Sequence, residues 1–192
     1  SVAILLSACS SNSSLDGDDK SLLESLKEIS VTNYDVKEIN ELYSMKIPDF
    51  MTASTTLNND ASLQYNNLYK EKYIIVIDEN KQEFVDAFKE IEEYDESMSI
   101  VDNYASVQLQ YMAEAGTIKK ESALKSFKIN GMEARIRAID ANIPGVSESI
   151  SYWLGYIEGK ENMYTIMVWT LESRKDSYEA EANEMIKSLK EL

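Results

Sequence analysis

Apolar and polar positions along this chain recur with two periods, and the switches between them outline its elements. Ser21–Ser30 carries Leu22, Leu26 and Ile29 on one helical face, with Ser21 and Glu24 at capping-box spacing, which predicts a short amphipathic helix. Residues 31–42 fit no single period, and a second short helix around Val36–Leu42 is one option. From Tyr43 the period shortens. Tyr43–Ile47 alternates until Pro48 stops it, and Ala61–Leu68 is a second strand candidate. Lys72–Asp78 holds the unbroken run Tyr73–Ile77, the pattern of a central strand covered on both faces. Two helices are predicted next. Gln82–Met98 has Phe84, Val85, Phe88 and Ile91 at helical spacing, with an apolar face that weakens towards its end. Ser99–Ala115 has the stripe Ile100, Val101, Tyr104, Ala105, Leu109 and Met112, with Gly116 as its stop.

Four strands follow: Ala123–Ile129, Met132–Ala141, Ser149–Glu158 and Met163–Glu172. Asn130-Gly131 is a hairpin signal between the first two, and Glu158–Asn162 links the last two as another hairpin. In the last strand Tyr164, Ile166 and Val168 point one way and Met167, Trp169 and Leu171 the other, so both faces are expected to be covered. A closing helix has Asp176 as its N-cap, Glu179 at the reciprocal position, and Tyr178, Ala182, Met185, Ile186 and Leu189 on its packing face. Strands, helices, strands and a final helix predict an α+β fold, an antiparallel sheet of six or seven strands flanked by helices.

Composition narrows the function classes. With 19 basic and 34 acidic residues the chain carries a net charge of −15, which repels phosphate backbones and disfavours nucleic-acid binding. The same charge argues against docking on anionic lipid through a basic patch and favours attraction to basic proteins or cations. No His is present, which removes the commonest general base and a common zinc ligand. One Cys excludes an internal disulfide and a Cys-rich metal cluster.

That single cysteine has a telling position. Val2–Leu6 is apolar, Leu6-Ser7-Ala8-Cys9 follows, and Ser10–Ser14 with Asp16–Asp19 form a small, polar stretch. Leu6, Ser7, Ala8 and Cys9 resemble the lipobox of bacterial lipoproteins, in which small residues fit a peptidase site beside a membrane-embedded segment. The resemblance implies diacylglyceryl attachment at the Cys9 thiol. Met and a basic segment are missing ahead of it, so only the end of a signal is expected here. Residues 1–8 are then a signal remnant, 9–20 a flexible tether, 21–42 an N-terminal helical segment and 43–192 the α+β domain. A tether of that length reaches about 15–20 Å. No other apolar run approaches the ~20 residues of a spanning helix. Ser10 lacks the acidic character that marks inner-membrane retention in some bacteria, a slight preference for the outer membrane.

The domain itself resembles PsbP-like domains. Tyr43–Met51 (YSMKIPDFM) looks like their opening strand ending in Ile-Pro, and Leu57–Tyr65 (LNNDASLQY) resembles the stretch that follows. The strand Tyr164–Leu171 and a closing helix with Ser188-Leu189 near its end match the family's order. That superfamily includes extrinsic subunits of photosystem II, a Ran-binding nuclear transport factor and many bacterial lipoproteins. The resemblance implies an α/β/α sandwich on an antiparallel sheet and an accessory or binding role. It carries over no ligand and no site residue, because family metal sites lean on His.

Other constellations have plain structural alternatives. Asp16–Asp19 lacks a bidentate Glu at EF-hand spacing, so a solvated tether is favoured over a calcium loop. Glu90, Glu92, Glu93, Asp95 and Glu96 could face a basic partner, but a solvated helix face is favoured. Ser122–Lys125 matches a bare Ser-x-x-Lys without the companion motifs of penicillin-binding enzymes. Tyr152, Trp153 and Tyr156 are candidate interface aromatics, weighed against filling two covered sheet faces. The expectation is a non-enzymatic, lipid-anchored envelope protein without metal or cofactor that engages another envelope protein. The alternative is a small-molecule or ion-binding envelope module, for which a deep pocket would speak.

Overall fold

A computed structural model describes residues 32–192, of which Asn33–Leu192 form one compact unit. The lipobox Leu6–Ala8, Cys9, the tether and the helix expected over Ser21–Ser30 lie outside the described residues.

The first described element corrects one option. Tyr34–Ile39 is a strand, β1, where a helix around Val36–Leu42 had been considered. Asn40 and Glu41 take positive φ (50° and 58°), which closes a tight hairpin onto β2, Tyr43–Pro48. Short β3 (Thr52–Ala53), β4 (Leu63–Asn67) and β5 (Lys72–Asn80) follow. Helix α1 spans Lys81–Glu90, capped by the Asn80 side chain accepting from Glu83 N at 2.9 Å. It ends well short of Met98. Glu90, Glu92, Glu93, Asp95 and Glu96 offer no apolar face to hold further turns, and Glu92 turns left-handed at φ 59°. The buried Asn103 then pins the loop, donating to Asp95 O and accepting from Asp95 N, both at 2.9 Å.

Helix α2, Ile100–Ala115, is capped by Ser99 and followed by β6 (Thr117–Glu121), β7 (Lys125–Ile129), β8 (Met132–Asn142), β9 (Ile150–Glu158) and β10 (Asn162–Leu171). Asn130 (φ 48°) and Gly131 (φ 88°) both adopt the left-handed conformation that the predicted β7–β8 hairpin requires. Asp176 does not cap the last helix. It lies in a 3-10 turn, Glu172–Ser177, and α3 starts at Glu179 behind Tyr178, before the short β11 at Lys190–Glu191. The main sheet has eight antiparallel strands along β3-β4-β5-β10-β9-β8-β6, with β7 also paired to β8. This exceeds the six or seven expected because short β3 and β6 join its ends. A second, three-stranded sheet runs β1-β2-β11.

Alternation sorts the core into two layers. Ile74, Val76, Trp153, Ile157, Tyr164, Ile166 and Val168 face α3 and the small sheet. Tyr152, Leu154, Tyr156 and Met163 face α1 and α2. On β10 the first face is fully buried, whereas Met167 and Trp169 on the second stay partly exposed. Helices α1 and α2 therefore leave part of the main sheet uncovered.

Two carboxylates tie these layers together. Asp102 of α2 accepts from Arg135 of β8 at 2.6 and 3.0 Å, and this guanidinium holds its carboxyl below the usual range. Burial alone would raise the Asp140 pKa, but hydrogen bonds from Lys175 at 2.8 Å and Ser151 at 2.5 Å outweigh it and keep it low. A folded-state pKa below the unfolded value of about 3.9 gives stability that is complete above that value and lost as pH falls through the folded one. The urea midpoint is therefore expected to hold from pH 7 to 5 and drop below about pH 4. The Asp102→Asn, Asp140→Asn double variant should start less stable at neutral pH and decline less steeply in acid. An equally steep acid decline in that variant would assign the transition to other groups.

Candidate functional site

The uncovered part of the sheet is the floor of a cavity of about 610 Å³. Ile75 and Ile77 of β5, Thr165, Met167 and Trp169 of β10, and Tyr152, Leu154 and Tyr156 of β9 rise from that floor. Gln108, Tyr111, Met112 and Ala115 of α2 form one wall, and Leu57-Asn58 and Ile143 with Val146 close the rim. The volume falls within the range of small-molecule sites, and none of the lining residues is charged.

Local sequence holds this shape. Gln64 of β4 accepts from Leu57 N at 2.9 Å and Asn58 N at 3.1 Å and donates to Asn58 O at 2.6 Å, which fixes one rim loop. The opposite rim turns tightly at Gly145 (φ 84°), closed by Val146 N donating to Ile143 O at 3.1 Å. Trp169 stacks on Tyr73 at 5.2 Å and 7° and leans on Tyr152 at 6.2 Å, giving a rigid aromatic floor. At the far end Thr165 donates to the Tyr104 hydroxyl at 3.0 Å, Tyr104 donates to Glu79, and Gln108 donates to Glu79 at 3.2 Å. These contacts set the wall positions before any ligand arrives.

The phenols of Tyr152 and Tyr156 differ from Tyr104. Both side chains are buried, 9% and 1% exposed, and neither hydroxyl forms a hydrogen bond among the described residues. Burial pushes the Tyr152 pKa up to about 12, and raises that of Tyr156 further against the pull of the Arg137 charge, so both remain protonated donors. Arg137, on the same face of β8, has a side chain only 10% exposed. Its Nη1 lies 3.5 Å from Glu121, close enough for an ion pair but without hydrogen-bond geometry.

The three aromatics singled out from sequence thus part company. Tyr152 and Tyr156 line the cavity, whereas Trp153 lies on the opposite face, edge-on to Tyr178 at 5.7 Å. None forms an exposed platform: all three are buried, Trp153 under Tyr178 and the two tyrosines at the bottom of the cavity. Ser122 and Lys125 do not build a dyad. Ser122 Oγ accepts from Ala138 N at 2.9 Å, and Lys125 is exposed at the start of β7. Among the described residues no three carboxylates converge into a metal-holding group, and no described helix is long and apolar enough to cross a membrane. Gln108, Tyr111 and Ala115 escaped the sequence reading. They lie off the main α2 stripe, and the exposed Tyr111 was the one signal that this helix had a second apolar side.

A smaller cavity of about 200 Å³ lies near the start of α3, where Lys120, Asp140, Ser151 and Lys175 stand beside Ala138 and Trp153. Asp140, Ser151 and Lys175 satisfy one another there.

The chain matches no family model, and no curated protein matches it in sequence. Its structure is similar to the solution structure of cyanobacterial PsbP (CyanoP) from Synechocystis, with a TM-score of 0.57 at 9% identity, covering 85% of this chain and 95% of that one. It is also similar to the Ran-binding protein Mog1p of Saccharomyces cerevisiae, with a TM-score of 0.51 at 14% identity, covering 83% and 95% respectively. Identities this low speak for the fold and not for activity. With its antiparallel main sheet between helical layers, the chain has the PsbP-like α+β fold.

Proposed function

We propose that this chain is a non-catalytic binding module of the bacterial envelope, held at a membrane by lipid on Cys9, which receives a small molecule in the cavity between α2 and the main sheet. The observation that carries this reading is the preformed, charge-free cavity of about 610 Å³. Deep apolar pockets with a few polar groups are the usual form of such sites. A filled interior would instead have favoured recognition through the outer surface alone. Engagement of another envelope protein remains a second reading, because Tyr111 (52% exposed) and Val146 (45%) put apolar surface at the cavity mouth.

The full chain tests both halves of the proposal. In cells, the Cys9-intact protein should partition into the detergent phase and Cys9→Ala into the aqueous phase. Purified Cys9→Ala should bind the neutral apolar dye N-phenyl-1-naphthylamine saturably at one site. Ala115 is exposed at the wall, so Ala115→Trp can place an indole across the mouth without disturbing the core. It should weaken dye binding at least tenfold. Unchanged partition would remove the anchor, and dye binding indifferent to Ala115→Trp would remove the cavity from the function.

A further inference from the structure

The cavity has a chemical preference written into its lining. Every lining side chain is uncharged, and Arg137 behind the floor already pairs with Glu121 at 3.5 Å, so an ionised group entering the cavity would lose its hydration without a counter-charge among the lining residues. An anion faces the further obstacle of a chain with net charge −15. A cation would find acidic surface outside but no carboxylate among the lining residues. The aromatic floor of Trp169 and Tyr152 and the polarisable Met112 and Met167 suit flat or chain-like apolar matter.

Within this apolar lining stand two phenols without hydrogen-bond partners, Tyr152 and Tyr156. Their rings are buried but their hydroxyls keep accessible surface in the cavity lining, four residues apart on one strand and one face. The donors of Thr165 and Tyr104 are already committed to neighbours. Among the sheet residues that line the cavity, free donating capacity is thus concentrated in the β9 phenols, Arg137 with its unpartnered Nε and Nη1 lying outside the lining, and a ligand that satisfies the phenols must bring an acceptor.

We infer that the cavity selects an uncharged, largely apolar molecule bearing a carbonyl or similar oxygen acceptor, held by a hydrogen bond from Tyr152 or Tyr156. This rests on the cavity being the binding site, as proposed above.

A shape-matched series separates the two ideas: 2-acetylnaphthalene, 2-isopropylnaphthalene and 2-naphthoate, titrated by calorimetry against the full Cys9→Ala chain. The ketone and the hydrocarbon should bind, and the carboxylate at least tenfold more weakly than the ketone. The Tyr152→Phe, Tyr156→Phe double variant removes no hydrogen bond internal to the protein and should fold normally. It should bind the ketone about fivefold more weakly, the yield of one neutral hydrogen bond, and the hydrocarbon within about twofold of the parent. The single variants assign the donor. Equal loss for ketone and hydrocarbon, no loss for either, or tightest binding of 2-naphthoate would overturn the inferred preference while leaving the cavity as a site. Failure of all three ligands to bind would overturn the cavity reading and this inference together.

Discussion

Gly155→Val is expected to destabilise the protein by about 3 kcal/mol, the upper end of ordinary overpacking. Gly155 sits in the middle of β9, where a Cβ would stand 2.5 Å from Ile186 Cγ2. Ile186 belongs to α3 and is fully buried, so it has no free space to retreat into. Its Cγ2 also branches directly from Cβ, and only χ1 can move it. Ile in a helix strongly prefers one χ1, so the clash has to be relieved by lifting α3 from the sheet. Smaller Gly155→Ala should cost about 2 kcal/mol by the same contact. Adding Ile186→Ala to Gly155→Ala should give a double variant more stable than the sum of the single losses by about 1 kcal/mol or more, because the new methyl occupies part of the space vacated. Urea denaturation of the four proteins measures this. Strict additivity would mean that the close approach of β9 and α3 is not what glycine serves.

Tyr178→Ala should cost about 4 kcal/mol, and Tyr178→Phe less than about 1 kcal/mol. Tyr178 immediately precedes α3, is fully buried, and meets Trp153 edge-on at 5.7 Å. The Lys72 ammonium lies 4.3 Å from the ring centroid and pairs with Glu181 at 2.5 Å, so one aromatic supports both the helix start and an ion pair that is mostly shielded from water. Truncation to Ala removes the ring that all three contacts lean on. The hydroxyl contributes little, since its one hydrogen-bonding contact is the weak acceptor Met51 Sδ at 3.9 Å. Thermal and urea unfolding of both variants should show the contrast. A large loss in Tyr178→Phe would mean that the hydroxyl, rather than the ring, holds α3 in place.

Much of this architecture was legible in the residues themselves. The run Tyr73–Ile77 became central strand β5 because a stretch apolar on both sides can only be satisfied between two layers. Asn130-Gly131 turned where it was expected to, since both positions need positive φ and these residues tolerate it. Helix α1 was overestimated because spacing alone ran past Glu90, although the acidic run that follows gives the sheet nothing to bury. Strand β1 was missed because none of its residues is fully buried, so its alternation leaves no strong apolar signal. It is held by pairing with β2 and by partial burial of Tyr34 and Ile39 against the core. The Asp176 cap failed for a related reason. The chain enters α3 through a 3-10 turn, and packing of Tyr178 against Trp153 places the helix start two residues further on than the local capping pattern indicates.

The sequence by itself determined the α+β class, the hairpins, the two-faced central strands and the absence of histidine chemistry, because each depends on periodicity, turn residues or composition within a short window. The cavity was decided only by tertiary structure. Its lining comes from three strands, one helix and two loops, each contributing residues that read separately as core. A space remains because α2 packs over β8 and β9 and α1 over β5 and β10, and the two meet through Phe84 and Tyr104 while leaving the floor beyond them uncovered. The partners that Tyr152 and Tyr156 lack follow from that gap, and no pattern along the chain records it.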